Sequence, residues 1–358
     1  MVKYRITHIL WTLGRGGAER MVLDLLKELR ARGHDAGLIA AGGGGPMLAD
    51  ALLAGIPVRV APEGGRRALI RFLHRELTER RPDILHTHLG GDIWAGLVGK
   101  VQGIHPWVMT AHSHEPDVPW LQRLGRHWAY RSADHVACVS NGVRDAVHQR
   151  YRVSAERSSI IPVGLDLSRF HVREARLPSD VPSLLTVGRL VPEKNHAMLL
   201  RALALVRRPW TLELVGVGTE RLALRRLAET LGILPRVRFA GEVADPATKL
   251  ASADLFLFPS LHEGQGLALF EAAASRLPAI ASDLNSLRES FSDRAVRFVS
   301  PSDPEAWAVA IRETLERYGE ALTRAEEARR VVVENYSVDR MTSAYEGLYR
   351  KLHTPTHS

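Results

Sequence analysis

One cysteine in 358 residues, Cys138, excludes an intramolecular disulfide and a cysteine-cluster metal site; its place in the apolar run HVACVS marks it as a small core residue. No run of about 18 apolar residues is free of charge, so no segment is expected to span a bilayer. The opening MVKYRITHILWT is too short and interrupted for a secretory apolar region, has no small-residue cleavage site behind it, and reads as a first strand. The expected location is therefore the cytoplasm, or a peripheral attachment at the inner face of the cell membrane. No two aspartates stand two residues apart, which removes the D-x-D arrangement that chelates a nucleotide-bound divalent ion, and metal-independent chemistry is expected. G-x-G-x-x-G and G-x-x-x-x-G-K-[ST] are both missing, which counts against a dehydrogenase and the P-loop class. Zinc-finger, RRM, KH and basic-zipper patterns are missing too, so nucleic acid is not an expected partner.

What is present is globular: 45% hydrophobic and 25% charged residues. At about 100 to 200 residues per domain the length predicts two domains. Lys and Arg total 48 against 40 Asp and Glu, but through residue 180 the counts are 25 and 18, leaving 23 and 22 for the remainder. A basic first half and a neutral second half suit either an anionic partner for one domain or a solvated arginine-rich surface.

Short apolar runs alternate with helical-period stretches. Strands are expected at 5–10, 35–40, 56–60, 84–86, 107–111 and 135–139, with helices such as 18–32, 69–80, 94–102 and 121–131 between them. The polar, proline-bearing RFHVREARLPSDVPS interrupts the pattern and reads as a linker. Beyond it the same alternation restarts, with strands at 183–187, 211–215, 237–240, 255–259 and 279–281, and helices at 197–207, 219–231 and 267–274. This predicts two doubly wound α/β domains facing a central cleft: residues 1–175, residues 176–336, and a helical end, 337–358, crossing back onto the first.

The chemistry-bearing residues cluster where strands end. In LGRGGAER, Gly14, Gly16 and Gly17 open a helix and would let backbone amides approach a phosphate, or simply make a tight turn. In VMTAHSHEP, His112 ends a strand, with His114 and Glu115 just beyond; His86 and His88 in HTH form a comparable pair, and neither group has metal-ligand spacing. In VGRLVPEKN, Arg189 and Lys194 can neutralise a diphosphate, and LVGVGTE adds Gly216 and Gly218 at another strand-to-helix turn. FPSLHEGQGLALFEAAAS is the sharpest signal. Glu263 and Glu271 bracket Gly264, Gln265 and Gly266, and a helix starting near Leu267 places Glu271 roughly 6 Å further along its axis. Free amides from Gly266 through Leu267 and Ala268 to Leu269 would bind phosphate, while the carboxylates accept sugar hydroxyls.

With these motifs the chain resembles, over essentially its whole length, the family 4 (group 1) glycosyltransferases, retaining enzymes of the GT-B fold. GRGGAER, RPDILHTH, the strand ending in TAH, VSNGVRD, IIPVGLDLSRF, VGRLVPEKN, LVGVGTE and FPSLHEGQG with LPAIAS carry the resemblance. It implies that the second domain binds a nucleotide sugar, with Arg189 and Lys194 on the diphosphate, Glu271 on the ribose hydroxyls and Glu263 on the transferred sugar. His112 would contact that sugar near the reaction centre, and Gly16 and Gly17 would touch donor phosphates or acceptor. UDP is the expected donor nucleotide from family frequency. Departures from the pattern are Val163 in the IPVG turn, Gln265 where an aromatic is frequent, and Arg276 where glycine often precedes LP.

No carboxylate in the first-domain loops suggests itself as a nucleophile, so front-face transfer is expected, with cations and helix N-terminus stabilising the departing diphosphate and domain closure excluding water. Arginines mixed with apolar residues in GGRRALIRFLHRELTERRPD and WLQRLGRHWAYRS suit either an anionic membrane carrying a lipid-linked or glycan acceptor, or ordinary basic outer helix faces. A nucleotide-sugar epimerase-like GT-B enzyme and a catalytically inactive sugar-binding relative are the alternatives.

Overall fold

The computed structural model describes residues 2–88, 90–113, 119–174 and 176–353. Among these the apolar runs form two all-parallel sheets. Packing divides the chain into two units, Met1–Leu165 with Val338–Ser358, and Asp166–Ser337.

In the first unit β1 (Arg5–Leu10) is flanked on one side by β2 (Asp35–Ala40) and β3 (Val58–Val60). On the other side lie β4 (Ile84–His88), β5 (Trp107–Ala111), β6 (His135–Cys138) and β7 (Ser158–Ile160), giving the order β3-β2-β1-β4-β5-β6-β7. The second unit repeats the scheme with β8 (Ser183–Val187), β9 (Thr211–Val215), β10 (Val237–Gly241), β11 (Leu255–Phe258), β12 (Ala279–Ser282) and β13 (Arg297–Val299), in the order β10-β9-β8-β11-β12-β13. Each sheet therefore winds outward in one direction, returns past its first strand and winds outward in the other. The reversals fall between β1 and β4 and between β8 and β11, where the loops at the carboxyl ends of the strands diverge.

Helices on both faces leave the central strands dry. Every residue of β4, β5, β6 and β11 is buried, as parallel sheets require. The helix Gly17–Ala31 covers the first sheet with Met21, Val22, Leu25, Leu26 and Leu29, a stripe at helical spacing. The second core closes around Trp210, Trp307, Leu214 and Leu257. Cys138 is fully buried, and burial pushes its thiol up to about 12.

Several boundaries differ from the sequence reading. The first unit ends at Leu165, ten residues before the expected boundary at 175, because the polar segment that follows is tied into the second unit. Arg169 pairs with Asp245 at 3.1 Å and Arg173 with Asp254 at 2.9 Å, and the Arg173 amide donates to Ser275 O at 3.0 Å. The Arg173 and Asp254 side chains are each 2% exposed, a burial that only a paired guanidinium tolerates. β7 and β13 are three-residue strands absent from the reading, and β4 runs on to His88, so HTH lies inside a strand.

The helical C-terminal stretch is broken after Asn335. Val338 N donates to Leu165 O at 2.9 Å, and the helix Val338–His353 lies in the first unit. There Glu346 accepts from Arg32 at 2.6 Å and from His34 at 2.9 Å. The Tyr4 amide donates to His34 Nδ1 at 3.1 Å, so Nε2 carries the proton that Glu346 receives. Burial raises the Glu346 carboxyl, but the bonds from His34 and Arg32 outweigh it and hold it below its usual range.

Candidate functional site

In the second unit the loops after β8 and β11, on either side of the reversal, are stitched together. Leu261 N donates to Glu193 O at 2.8 Å. Asn195, in the left-handed region at φ 55°, donates through Nδ2 to Pro259 O at 3.1 Å and Pro301 O at 2.8 Å. Lys194 completes the seam, with Nζ 2.5 Å from Glu263 Oε1 and 5.5 Å from the centre of the Phe258 ring. The sequence expectation put Lys194 on a diphosphate and Glu263 on a sugar; the structure joins them as a half-buried ion pair. Arg189 stands exposed on the same loop, and its carbonyl accepts from His196 Nε2 at 3.3 Å. Burial lowers His196 to about 4, so this ring is neutral and carries its proton on Nε2.

Gly266 caps the helix Leu267–Ala274 at φ 85°. A Cβ there would lie 2.6 Å from Leu287 Cδ2 and 3.2 Å from Phe258 Cε1. Gly264, Gln265 and Gly266 are buried, while Leu267, Ala268 and Glu271 are half-buried. The Leu269 amide, expected to be free, donates to Gly266 O at 2.9 Å; intrahelical bonding leaves the amides of Leu267 and Ala268 at the helix start. Gly216 and Gly218 serve the packing of loop on loop. A Cβ on either would collide with the carbonyl of Gly188 or Leu190, and the Gly216 amide donates to Gly241 O at 2.8 Å. At this strand-to-helix turn the Gly216 amide is therefore already engaged. Arg276 takes φ 58°, which explains why a glycine suits its position.

In the first unit Gly16 caps the helix Gly17–Ala31. Sequence reasoning passed over Glu19, whose carboxylate folds back so that a Cβ on Gly16 would overlap it and one on Gly14 would lie 3.2 Å away. The signal was legible: an acidic residue at the third helical position fits a helix N-terminus electrostatically. This carboxylate therefore stands beside the backbone that the glycine turn would offer to an anion.

At the neighbouring strand ends lies a histidine cluster that sequence spacing did not show. His86 and His88, two residues apart on β4, share a face, and His8 on β1 pairs in register with His86. One ring nitrogen from each of the three lies within 4.8 Å of the others, a spacing that could hold a metal ion. The bonding they make is of another kind. His86 Nδ1 bonds Tyr349 Oη at 2.6 Å and its Nε2 bonds Thr110 Oγ1 at 2.7 Å, which in turn meets Tyr345 Oη at 2.9 Å. His8 Nδ1 is 3.0 Å from His88 Nε2, and His88 Nδ1 is 3.2 Å from His112 Nε2. Burial lowers His8 to about 3 and His112 to about 4, and His86 and His88 well below their ordinary value, so all four rings are neutral. His112 directly follows β5; the neighbouring His114 and Glu115 lie outside the described residues.

Two doubly wound parallel sheets, each with its loops diverging at one reversal, are the arrangement of the GT-B fold. Residues 15–169 match the family described as Glycosyltransferase Family 4 and residues 181–317 the one described as Glycosyl transferases group 1. A D-inositol 3-phosphate glycosyltransferase of Thermomonospora curvata is 30% identical over 310 residues, 74% of this chain and 71% of that one. The lipopolysaccharide core biosynthesis glycosyltransferase LpsE of Rhizobium meliloti is 31% identical over 235 residues, 63% of this chain and 68% of its own. The structure of Anabaena HepE in complex with UDP superposes with a TM-score of 0.84 at 20% identity, covering 97% of this chain and 100% of that one. The chain belongs to the family 4, or group 1, glycosyltransferases and acts on sugar donors.

Proposed function

We propose that the enzyme moves a sugar from a UDP-sugar to a hydroxyl of a glycan or lipid-linked acceptor in cell-surface polysaccharide or lipopolysaccharide synthesis. Transfer proceeds with retention at the anomeric carbon and uses no metal ion or other cofactor. The observation that carries this reading is the seam at the β8–β11 reversal, where Lys194 and Glu263 meet on the loop that leads into the glycine-capped helix Leu267–Ala274. A diphosphate placed there would meet Lys194, Arg189 and the amides of Leu267 and Ala268. Glu263, released from part of its hold on Lys194, would accept a hydroxyl of the transferred sugar, and Glu271, four residues into the helix, the ribose hydroxyls. His112 is assigned to the transferred sugar. HepE, which shares the fold, was crystallised with UDP and with UDP-glucose, and LpsE belongs to lipopolysaccharide core synthesis; both favour this donor and acceptor class. Independence of metal is supported by the missing D-x-D pair.

In the transfer, the bond from the anomeric carbon to the diphosphate oxygen breaks while the acceptor oxygen bonds to that carbon on the same face. The acceptor proton passes to the departing phosphate oxygen. Arg189, Lys194 and the helix N-terminus stabilise the charge that builds there, an effect realised chiefly in the transition state.

Contact with the inner leaflet is supported by the helix Trp120–Ser132. Trp120 is 68% exposed, and Leu121, Leu124 and Trp128 continue an apolar stripe beside Arg123, Arg126 and Arg131. On this reading the enzyme works in the cytoplasm, peripheral to the membrane that carries its acceptor.

The test is thermal stabilisation by UDP-, GDP-, ADP- and dTDP-sugars in EDTA, for the natural sequence and Glu271→Ala, followed by turnover with the sugar that binds. UDP-sugars at about 100 times their dissociation constant should add roughly 2.7 kcal/mol, and Glu271→Ala should abolish the shift. No shift with any sugar overturns the donor reading; binding without turnover on any acceptor points to an inactive relative.

A further inference from the structure

Three imidazoles run in a hydrogen-bonded line from the middle of the first sheet to the end of β5. His8 Nδ1 meets His88 Nε2 at 3.0 Å, and His88 Nδ1 meets His112 Nε2 at 3.2 Å. His8 and His88 are fully buried. Neutral imidazole has one N–H and one bare nitrogen, so each ring in such a line must donate on one side and accept on the other. Only two arrangements exist, and they run in opposite directions. If protons point outward, His8 donates from Nδ1 to His88, His88 donates from Nδ1 to His112, and His112 holds its own proton on Nδ1. If they point inward, His112 and His88 donate from Nε2, and His8 must carry its proton on Nε2.

His8 Nε2 decides between them, because it is buried without a hydrogen-bond partner. The inward arrangement strands an N–H there, and buried N–H groups without an acceptor are the rarest kind of unsatisfied polar group. The outward arrangement leaves only an unprotonated nitrogen. His86 does not compete for the line, since Tyr349 and Thr110 occupy both its nitrogens.

We infer that His8, through His88, positions the proton of His112 on Nδ1, making His112 a hydrogen-bond donor to the substrate and barring it from acting as a base there. His8 and His88 are positioning residues in this scheme. With Nε2 of His112 committed to His88, Nδ1 is the atom left for a ligand, and it arrives already protonated. A neutral donor at that point suits an oxygen of the transferred sugar, and it agrees with a reaction whose acceptor proton leaves on the phosphate. This consequence rests on the reading that His112 touches the sugar; the protonation pattern itself does not.

The experiment is therefore made first on the free protein. Long-range 1H–15N correlation spectra at pH 7.5, assigned with single His→Gln variants, should show a protonated, pyrrole-type Nδ1 and a bare, pyridine-type Nε2 on His8, His88 and His112 alike. A pyridine-type Nδ1 on His112 overturns the inference, whether or not the enzyme transfers sugar. His8→Asn retains an amide N–H close to the position of Nδ1 and should keep the His112 pattern, whereas His8→Phe removes the donor and should scramble it. Once turnover is established, His8→Phe should lower kcat about tenfold or more, with KM for the donor little changed, and His8→Asn should recover most of the loss. Equal losses in both variants, with the His112 spectrum unchanged, reduce His8 to packing. A 1:1 Co2+ complex with the visible bands of tetrahedral nitrogen ligation would overturn the line in favour of a metal site at His8, His86 and His88.

Discussion

Gly266 carries two constraints at one position. Its φ of 85° belongs to the left-handed region, and Leu287 and Phe258 fill the space a side chain would need. Gly266→Ala should therefore destabilise the second unit by about 1–3 kcal/mol. It should also weaken UDP-sugar binding by tilting the helix start, read by urea unfolding and by calorimetric titration at a temperature where the variant is folded. Unchanged binding in a destabilised variant would separate the helix start from the donor site. Gly266 was legible because a small residue before an apolar helical run has few other uses. The partner of Lys194 was not, since Glu263 lies 69 positions away and only the adjacency of β8 and β11 joins them. His8 was hidden for the same reason: alone it is a polar interruption in an apolar strand, and its meaning comes from the register that sets it beside His86.

At the scale of elements, burial decides what a sequence displays. The central strands β5 and β11 were legible as short apolar runs and β4 only as far as His86, whereas β7 and β13, each three residues and mostly half-buried, lack the length to show a period. The helix Trp120–Ser132 presents the converse case, a clear amphipathic pattern whose apolar side faces out. Trp120 and Leu124, one turn apart, are 68% and 60% exposed, while Ala129 and Tyr130 at the far end are buried. This inverted arrangement suits a lipid surface, with the arginines at headgroup level. The enzyme should co-sediment with vesicles containing anionic lipid at low salt, and binding should fall several-fold at high salt and with Trp120→Ser/Leu124→Ser together. Because these side chains are solvated, the double variant should keep its melting temperature. Equal binding to neutral and anionic vesicles would remove the charge contribution, and no binding to either would remove the membrane contact.

For the molecule as a whole, the two-sheet plan was readable from the restart of the strand–helix alternation, but the division between units was not. The segment after Leu165 is polar like a linker, and contacts far apart in sequence, such as the pairing of Arg173 with Asp254, 81 positions away, tie it into the second unit. The histidines extend this contrast to solution behaviour. In the first unit burial, together with neighbouring charges, lowers His8 to about 3, His112 and His135 to about 4, and His86 and His88 well below the ordinary value. An unfolded chain binds protons at these rings below about pH 6.5, and the folded one does not. Protons bound only by the unfolded state make stability rise with pH, so the first unit is fully stable above about 6.5 and loses stability as pH falls toward the folded values. Each ring contributes about 1.4 kcal/mol per pH unit inside that window. Urea midpoints followed by hydrogen exchange in β1, β4 and β5 should therefore drop steeply between pH 7 and 5, before most carboxylates titrate. Glu346, held below its usual range, adds its loss only at lower pH. His135→Asn should make the slope shallower by one proton. A midpoint that stays level from pH 7 to 5 would mean that these imidazoles take up protons in the folded state, and the neutral hydrogen-bonded line from His8 to His112 would fall with it.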